Sequence, residues 1–314
     1  LSRRERARHP DCLLGLAVAD ALGAPYEFIP AGSPRLPKSA ADLAMTGGGP
    51  WLPGEWTDDT AMALCLAESI LGTRGDGALF DEDDLVGRYA AWAASGPKDI
   101  GITCSTALRG TPTAAAARER AGDLHERTGR TAGNGTVMRA VPIAIAAADA
   151  GQATEAARAD ATLTHFDGAA AAASAALVAA LRRPQQLLAA ASAEAEGDGR
   201  LACALALVDA RDEAGLRALA ADADGTAWAT LAVGLWAACV VDDYAEGVAF
   251  AISLGGDTDT NAAVAGALLA ARHGAEAIPA AWREGLRERE RIERVAAALA
   301  AQPGAPPRSR AIGR

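Results

Sequence analysis

The sequence lacks the residue patterns that mark disulfide-rich, zinc-finger and membrane proteins. Its five cysteines lie at least 36 residues apart, so there is no CxxC pair and no zinc-knuckle spacing. Scattered cysteines of odd number are typical of reduced thiols in a cytosol. No apolar run is long enough to span a bilayer without charges or turn residues. The charged start at 1–6 is not followed by the apolar core of a signal peptide. We therefore expect a cytoplasmic protein that does not contact membranes.

Basic residues are also fewer than acidic ones. The 30 Lys and Arg residues are outnumbered by 40 Asp and Glu residues, which gives a formal net charge of −10. Neutralising a nucleic-acid backbone requires clustered Lys and Arg, so the composition argues against an extended nucleic-acid surface. A small anionic substrate is not excluded. We expect a monomer.

Aromatic residues make up only 4% of the chain, whereas roughly a quarter of its positions are alanine. Alanine favours helices and is a poor strand residue, which excludes an all-β fold. Apolar strands do not alternate with helices, so a parallel α/β sheet is not supported either. The composition predicts an all-α protein.

The spacing of apolar residues predicts a succession of helices separated by Gly and Pro. The predicted helices are 12–22, 57–71, 83–94, 103–109, 112–121, 135–148 and 288–301, with alanine-rich helices over 154–274 and a short one opening at Pro279. Pro142 is expected to kink the helix 135–148, and Gly215 is expected to break a helix. The Pro-rich segment 23–55 is predicted to be a long loop, either ordered or disordered.

Two acidic segments open predicted helices. One is WTDDT at 56–60 and the other is GGDTDTN at 255–261. Either segment alone could be a helix cap, because Thr and Asp are favoured there. Each nevertheless supplies two carboxylates and a threonine hydroxyl, which is more than capping requires. Together they could form an oxygen-only cage for Mg²⁺, Mn²⁺ or Ca²⁺ rather than for zinc.

An EF-hand is the obvious alternative for the segment that begins at Asp257. It fails at two positions of the calcium loop. The sixth residue, which should be Gly, is Ala262, and the twelfth, which should be Glu, is Leu268.

Two further segments carry groups of possible function. After the helix that ends at Gly23, Pro25 prevents its resumption and places Glu27 on a rigid turn between two aromatic residues. Glu27 could equally be a solvated loop acid. The turn GNGTVMR at 133–139 frees backbone N–H groups that could bind an anion. Arg139 could add charge to this turn or could instead pair with an acid behind it.

Five short segments, taken together, resemble the ADP-ribosylglycohydrolase family. They are ADALGAP with Glu27 at 19–27, WTDDT at 56–60, GNGTVMR at 133–139, TH at 164–165 and GGDTDT at 255–260. The resemblance runs from about residue 5 to about residue 300 and is most specific in the two aspartate motifs. It implies a single compact domain of orthogonally packed helices at 1–301, and a flexible tail is expected at 302–314.

The resemblance also implies a chemistry and a set of site residues. Two Mg²⁺ or Mn²⁺ ions would lie in a cleft where the bond between ADP-ribose and an acceptor is hydrolysed. The implied metal ligands are Thr57, Asp58, Asp59, Asp257, Asp259 and Thr260. The implied catalytic residues are Glu27, Asp58 and Asp259. The implied substrate contacts are Asp99, Gly101, Asn134, Gly135, Thr136, Met138 and His165.

Some positions leave alternatives open. Relatives often have an aromatic residue for adenine where this chain has Thr226, with Trp228 two residues on. Tyr26, Trp51 and Trp56 are other candidates for stacking, although a role in anchoring the loop is favoured for them. His165 could contact substrate or be a buried histidine satisfied by a hydrogen bond.

We expect an Mg²⁺- or Mn²⁺-dependent hydrolase that removes ADP-ribose from a mono-ADP-ribosylated protein side chain. One alternative keeps the metals but takes ADP-ribose from a small molecule or a nucleic-acid end. Another is a catalytically silent ADP-ribose-binding protein, against which the complete set of carboxylates argues. The acceptor residue is left open.

Overall fold

The computed structural model describes residues 10–73 and 78–302. Within these ranges the regular secondary structure is helical and there is no β-strand. Two isolated bridges pair Gly48 with Trp51 and Gly133 with Thr226. The predicted all-α fold is confirmed. The predicted flexible tail lies, apart from Gln302, outside the described residues.

The described α-helices follow one another along the chain, with one long connection between α1 and α2. They are α1 (Asp11–Gly23), α2 (Asp58–Gly72), α3 (Glu82–Ala94), α4 (Ile102–Leu108), α5 (Ala114–Thr128), α6 (Val141–Ala146), α7 (Ala150–Thr162), α8 (Gly168–Leu181), α9 (Leu187–Glu194), α10 (Gly199–Asp209), α11 (Glu213–Asp222), α12 (Ala227–Trp236), α13 (Tyr244–Ser253), α14 (Thr258–His273), α15 (Ala280–Gly285) and α16 (Arg289–Ala300). A π-helical turn at Ala237–Val241 continues α12. None of these helices is long and apolar enough to cross a bilayer.

The predicted helix 135–148 is wrong. The chain instead forms a 3₁₀ turn at Asn134–Thr136 and then the separate helix α6. Pro142 lies in the first turn of α6, where the N–H that proline lacks would have no helical partner anyway. Pro142 therefore helps to start a helix rather than kinking one.

The expected break at Gly215 is also displaced. Gly215 lies inside the first turn of α11, and its N–H donates to the carboxylate of the capping residue Asp212. The chain breaks before that cap, between the end of α10 and Asp212. The aspartate, which competes for backbone N–H groups, sets the boundary rather than the glycine.

Helices α1 and α14 form a closely packed pair at the centre of the core. A Cβ at Gly266 would lie 2.5 Å from the Cβ of Ala19 and 2.4 Å from the carbonyl oxygen of Gly15. The Gly15 carbonyl also accepts a hydrogen bond from the hydroxyl of Tyr244, at 2.8 Å. Every residue of α14 from Thr258 to Ala271 is buried. The two helices bring the end of α1 and the start of α14 to one place.

This packing gives a stability prediction. Replacing Gly266 by alanine should lower the free energy of unfolding by about 1–3 kcal/mol, because the new methyl group meets backbone atoms that cannot move away. Gly87→Ala is the matched control, since Gly87 is an exposed position in α3 where an added Cβ meets nothing within 4 Å. That control should be stabilised by about 0.5–1 kcal/mol through helix propensity. Urea denaturation of both variants measures the difference, and equal stabilities would contradict the packing argument.

The long segment between α1 and α2 is ordered by contacts with distant parts of the chain. Lys98 forms an ion pair with Glu55 at 2.6 Å. The indole N–H of Trp56 donates to the carbonyl of Arg287, whose own N–H donates to Gly54. This segment therefore has a defined course past the start of α2, which settles the choice between an ordered and a disordered loop.

Candidate active site

The two acidic segments meet at one cleft. The hydroxyl of Thr260, in the first turn of α14, donates to the carboxylate of Asp59, in the first turn of α2, at 3.2 Å. These residues are 201 positions apart in the sequence. The hydroxyl of Thr258 donates to the carbonyl of Gly23 at the end of α1. Three helix ends therefore converge at the cleft.

Helix capping accounts for part of each acidic segment. The Thr57 hydroxyl accepts from the N–H of Asp59 at 3.4 Å, and the Asp257 carboxylate accepts from the N–H of Thr260 at 3.3 Å. Each cap uses one side-chain oxygen, as capping requires. The carboxylates of Asp58, Asp59 and Asp259 are left for another purpose.

Asp20, on α1, anchors the acidic segment at 56–60. Its carboxylate accepts from the N–H of Thr57 at 3.0 Å and from both the N–H and the hydroxyl of Thr60, at 3.1 and 2.6 Å. Burial raises the pKa of Asp20 to about 6, against the lowering effect of these hydrogen bonds. No role for Asp20 was predicted from the sequence. A lone aspartate on the otherwise apolar face of α1 was the available signal.

A carboxylate trio lies at one side of the cleft. One carboxylate oxygen from each of Glu27, Asp99 and Asp259 lies within 4.8 Å of the other two. The turn that carries Glu27 is held against α14 by the Phe28 N–H, which donates to the Gly256 carbonyl at 2.9 Å, and by the Gly256 N–H, which donates to Ile29. The predicted loop acid thus joins a predicted substrate contact and a predicted metal ligand.

Asp58 links this trio to the start of α4. Burial, followed by the charge of the nearby Asp99, raises the pKa of Asp58, whereas the backbone N–H of Gly101 lowers it. The predicted residues Asp58, Asp99 and Gly101 therefore form one connected group beside Glu27.

The carboxyl groups of the cleft have strongly perturbed pKa values. Burial, followed by the charges of neighbouring carboxylates, raises the pKa of Asp58, Asp59 and Asp259 well above the ordinary value. Burial and the nearby Asp99 raise the pKa of Glu27 to about 8. Within residues 10–73 and 78–302, no Lys, Arg or His forms an ion pair with any of these groups. The described part of the chain therefore leaves these carboxyl groups without a basic partner.

These residues fit a hard divalent cation. The buried Oδ2 of Asp59 and Oδ1 of Asp259 have no hydrogen-bond partner in the described part of the chain. Unsatisfied buried carboxylate oxygens are costly unless a cation binds them. The group of possible metal ligands found in the described chain consists of carboxylates alone, Glu27, Asp99 and Asp259, which favours Mg²⁺ or Mn²⁺ over zinc.

The glycine-flanked turn lies on the other side of the acidic segments. The Asn134 amide donates to the Asp257 carboxylate at 2.8 Å and to the Thr230 hydroxyl at 3.0 Å. The Asn134 N–H donates to the carbonyl of Gly225. The turn is thereby fixed against the start of α14. Thr230 is a partner that the sequence analysis missed.

Two of the predicted substrate contacts have their side chains in the core. Thr136 is fully buried and donates to the carbonyl of Ala170, and Met138 is 3% exposed. Their contact with substrate stays a prediction, and it would involve backbone atoms rather than side chains. Gly135 is only partly buried and remains available at the surface of the turn.

His165 lies directly beneath this turn. A Cβ at Gly133 would lie 3.2 Å from its Nε2, and one at Gly135 would lie 3.1 Å from its Cε1. Arg139 donates to the Thr164 hydroxyl oxygen at 3.0 Å, and the same hydroxyl shares a hydrogen bond with Nδ1 of His165, at 2.8 Å. The Nε2 edge of the ring therefore faces the turn. Burial and the charge of Arg139 lower its pKa to about 3, so it is neutral.

Arg139 is a structural residue. It is fully buried, and its Nε donates to the Asp160 carboxylate at 2.8 Å. Its guanidinium also packs 4.8 Å from the ring centre of Tyr89, whose hydroxyl donates to Asp160. Of the two roles predicted for Arg139, the structure shows pairing with an acid behind the turn.

The aromatic candidates for stacking are engaged elsewhere. The Arg200 guanidinium lies 4.9 Å from the ring centre of Trp228 and is also bound to Asp167 and Asp198. Lys98 lies 5.3 Å from the ring centre of Trp51. The Thr226 hydroxyl donates to the carbonyl of Ala223. A basic side chain therefore packs against the ring of Trp228 and another against the ring of Trp51.

The fold is all-α, and two of its helix starts present buried carboxylates that form no ion pair in the described chain, an arrangement that suits a hydrolase site. The sequence profile described as ADP-ribosylglycohydrolase matches residues 1–308. The chain belongs to the ADP-ribosylglycohydrolase family, as the motifs predicted, and the prediction that it is a glycohydrolase is confirmed.

Relatives and a solved structure agree with this assignment. The chain is 30% identical over 298 residues to an ADP-ribosylarginine hydrolase, Tri1, of Serratia proteamaculans, covering 91% of this chain and 77% of that protein. It is 41% identical over 141 residues to the ADP-ribosyl-[dinitrogen reductase] glycohydrolase of Rhodospirillum rubrum, covering 42% of each. A solved structure titled ADP-ribosylglycohydrolase-related protein complex matches with a TM-score of 0.74 and 34% identity, over 95% of this chain and 99% of that one.

Proposed function

We propose that this protein hydrolyses the bond between C1″ of ADP-ribose and the side chain of a mono-ADP-ribosylated protein, with arginine as the acceptor. The observation that carries the proposal is the juxtaposition of Glu27, Asp99 and Asp259 within 4.8 Å, beside buried carboxylate oxygens that lack partners. The similarity to an ADP-ribosylarginine hydrolase over 91% of the chain supports the choice of arginine.

The residues that fit the cofactor are those at the two helix starts. Two Mg²⁺ or Mn²⁺ ions would be held by oxygen atoms of Thr57, Asp58, Asp59, Asp257, Asp259 and Thr260. When bound, such ions supply positive charge that binds ribose hydroxyls and stabilises charge in the transition state. Asp20 would keep the first segment in place through its hydrogen bonds to Thr57 and Thr60.

The chain's own groups then have distinct tasks. The backbone N–H groups of Gly135 and Thr136 bind the diphosphate, since the Asn134 N–H already donates to Gly225. The neutral imidazole of His165 supports the turn from beneath. Glu27, as a carboxylate, takes a proton from the water that attacks C1″ while the bond to the acceptor breaks. The ribosyl group passes through an oxocarbenium-like transition state, beside which the carboxylates of Glu27 and Asp99 are suitably placed.

A substrate panel tests the proposal. ADP-ribose linked to arginine, serine, an acidic side chain or a nucleic-acid end is incubated with the protein in Mg²⁺, in Mn²⁺ and in EDTA. We expect release from the arginine conjugate with either metal and none in EDTA. Release from another conjugate alone would replace the acceptor, and calorimetric binding of ADP-ribose without release from any conjugate would indicate a silent binding protein. The cytoplasmic, monomeric state also stays a prediction.

The metal-free protein should lose stability as the pH rises from 5 to 8. The raised pKa values of Glu27, about 8, and Asp20, about 6, mean that the folded state keeps protons that the unfolded chain has released above about pH 4.5. Because the folded state binds more protons in this window, the free energy of unfolding falls with rising pH. We expect the Tm in EDTA to drop by about 5 °C or more, and Mg²⁺ to restore it at pH 8. A metal-free Tm that rises over this range in calorimetry would contradict the electrostatic account.

A further inference from the structure

Large apolar side chains are exposed at four positions of the described chain: Phe28, Leu52, Ile102 and Phe166. Three of them directly follow a residue of the candidate site, namely Glu27, Gly101 and His165. Single exposed apolar residues are ordinary on a protein surface. Their placement next to the groups that line one cleft calls for a functional explanation.

Phe28 is the most unusual of the four. Its backbone φ is +61°, a left-handed conformation that a bulky residue rarely adopts, and its side chain is 77% exposed. The conformation is fixed because the Phe28 N–H donates to Gly256 and the adjacent Ile29 carbonyl accepts from Gly256. An exposed ring held in an unfavourable backbone conformation adds little burial to the fold. Strain retained without packing benefit is a feature of functional positions.

Ile102 is the first residue of α4 and is 80% exposed. It follows Gly101, whose backbone N–H is close enough to Asp58 to lower the pKa of that carboxyl group against the effect of burial, and it lies three residues after Asp99. Since Asp99 and Glu27 approach each other within the trio, Phe28 and Ile102 are each only a few residues from the same carboxylates.

The order in which the turn at 133–136, Asp257, Asp259 and Glu27 follow one another indicates where the acceptor lies. The turn at 133–136 contacts Asp257, which begins the segment that carries Asp259, and Asp259 approaches Glu27 and Asp99. A molecule with its diphosphate at the turn and its C1″ at the trio directs its acceptor past Glu27. A cationic acceptor is favoured there by the surrounding carboxylates. Phe28 directly follows Glu27, and Ile102 lies three residues after Asp99.

We infer that Phe28 and Ile102 form an apolar clamp that grips the polypeptide carrying the ADP-ribosyl group. The clamp selects a protein acceptor with an exposed apolar residue beside the modified side chain, in preference to a free conjugate or a polar sequence. This inference rests on the proposed function and adds the sequence context of the substrate to it.

Two matched peptides test the clamp. Both carry one ADP-ribosylated arginine, flanked on each side by leucine in the first and by serine in the second. Wild-type protein should hydrolyse the leucine peptide with a KM about fivefold to tenfold lower. Phe28→Ala and Ile102→Ala should each reduce this preference to about twofold or less. Phe166→Ala, which removes an exposed aromatic ring next to His165, should keep it.

The outcomes distinguish failure of the proposed function from failure of the clamp. No release from either peptide by the wild type contradicts the proposed function itself. Equal KM values for the two peptides, or a preference that survives both clamp variants, overturns the clamp alone. A concentration-dependent dimer in sedimentation that Phe28→Ala abolishes would assign the apolar surface to a second copy of the chain instead.

Discussion

Asp259→Asn should lower kcat/KM for an ADP-ribosylated arginine substrate by about a thousandfold or more, because the cleft loses a cation ligand that supplies several kcal/mol in the transition state. The variant keeps the shape of the side chain and removes one of the buried charges that nothing compensates. Its metal-free form should therefore melt at the same temperature as the wild type or higher, at pH 8. Binding of Mn²⁺, measured by calorimetry, should weaken in parallel with turnover.

The control for this variant is Asp212, an aspartate that serves as a helix cap. Asp212 caps α11 by accepting from Gly215 and lies far along the chain from the acidic segments. Asp212→Asn should leave turnover and Mn²⁺ affinity unchanged and alter stability by well under about 1 kcal/mol, since asparagine also caps well. If Asp259→Asn binds Mn²⁺ and turns over like the wild type, the metal assignment is wrong.

Glu27→Gln should lower kcat by about a hundredfold to ten-thousandfold with a small effect on KM, because the amide cannot accept the proton of the attacking water. Glu27 is half-buried beside Asp99 and Asp259 and forms no ion pair within the described residues, so the change should not disturb the fold. Steady-state kinetics at saturating Mg²⁺ measure the effect. Retained binding of Mg²⁺ would show that proton transfer, and not the cation site, was removed.

Glu55 is the matched control for Glu27. It lies on the same loop, but it forms an ion pair with Lys98 at the surface, at 2.6 Å. Glu55→Gln should change kcat by less than about threefold and stability by about 0–1 kcal/mol, as exposed ion pairs usually do. Equal losses in Glu27→Gln and Glu55→Gln would show that loop order, rather than a chemical role of Glu27, governs the rate.

Local chemistry explains which parts of the site were predictable from the sequence. Asp58 and Asp257 stand at helix starts because threonine and aspartate side chains satisfy free N–H groups there, a rule that operates within four residues. The predicted helices 12–22, 57–71 and 83–94 agree with α1, α2 and α3 to within about two residues at each end. The break between Asn134 and Val141 was missed because alanine and valine spacing looks helical throughout.

Long-range contacts explain the remainder. Asp20 received no role because its partners Thr57 and Thr60 lie 37 and 40 residues away. The pKa of His165 is lowered by burial and by the charge of Arg139, which is itself balanced by Asp160. Neither link follows from spacing, since each depends on which side chains meet in the packed core.

The sequence by itself determined the helical class, the family and the two pairs of carboxylates, because alanine content, caps and short motifs act over a few residues. Tertiary structure alone decided that Thr260 contacts Asp59 over 201 positions and that Glu27, Asp99 and Asp259 form one group. It also decided that this group has no basic partner in the described chain. The close packing of α1 on α14 at Gly15 and Gly266 brings these helix ends together, and with them carboxyl groups that local sequence rules cannot place side by side.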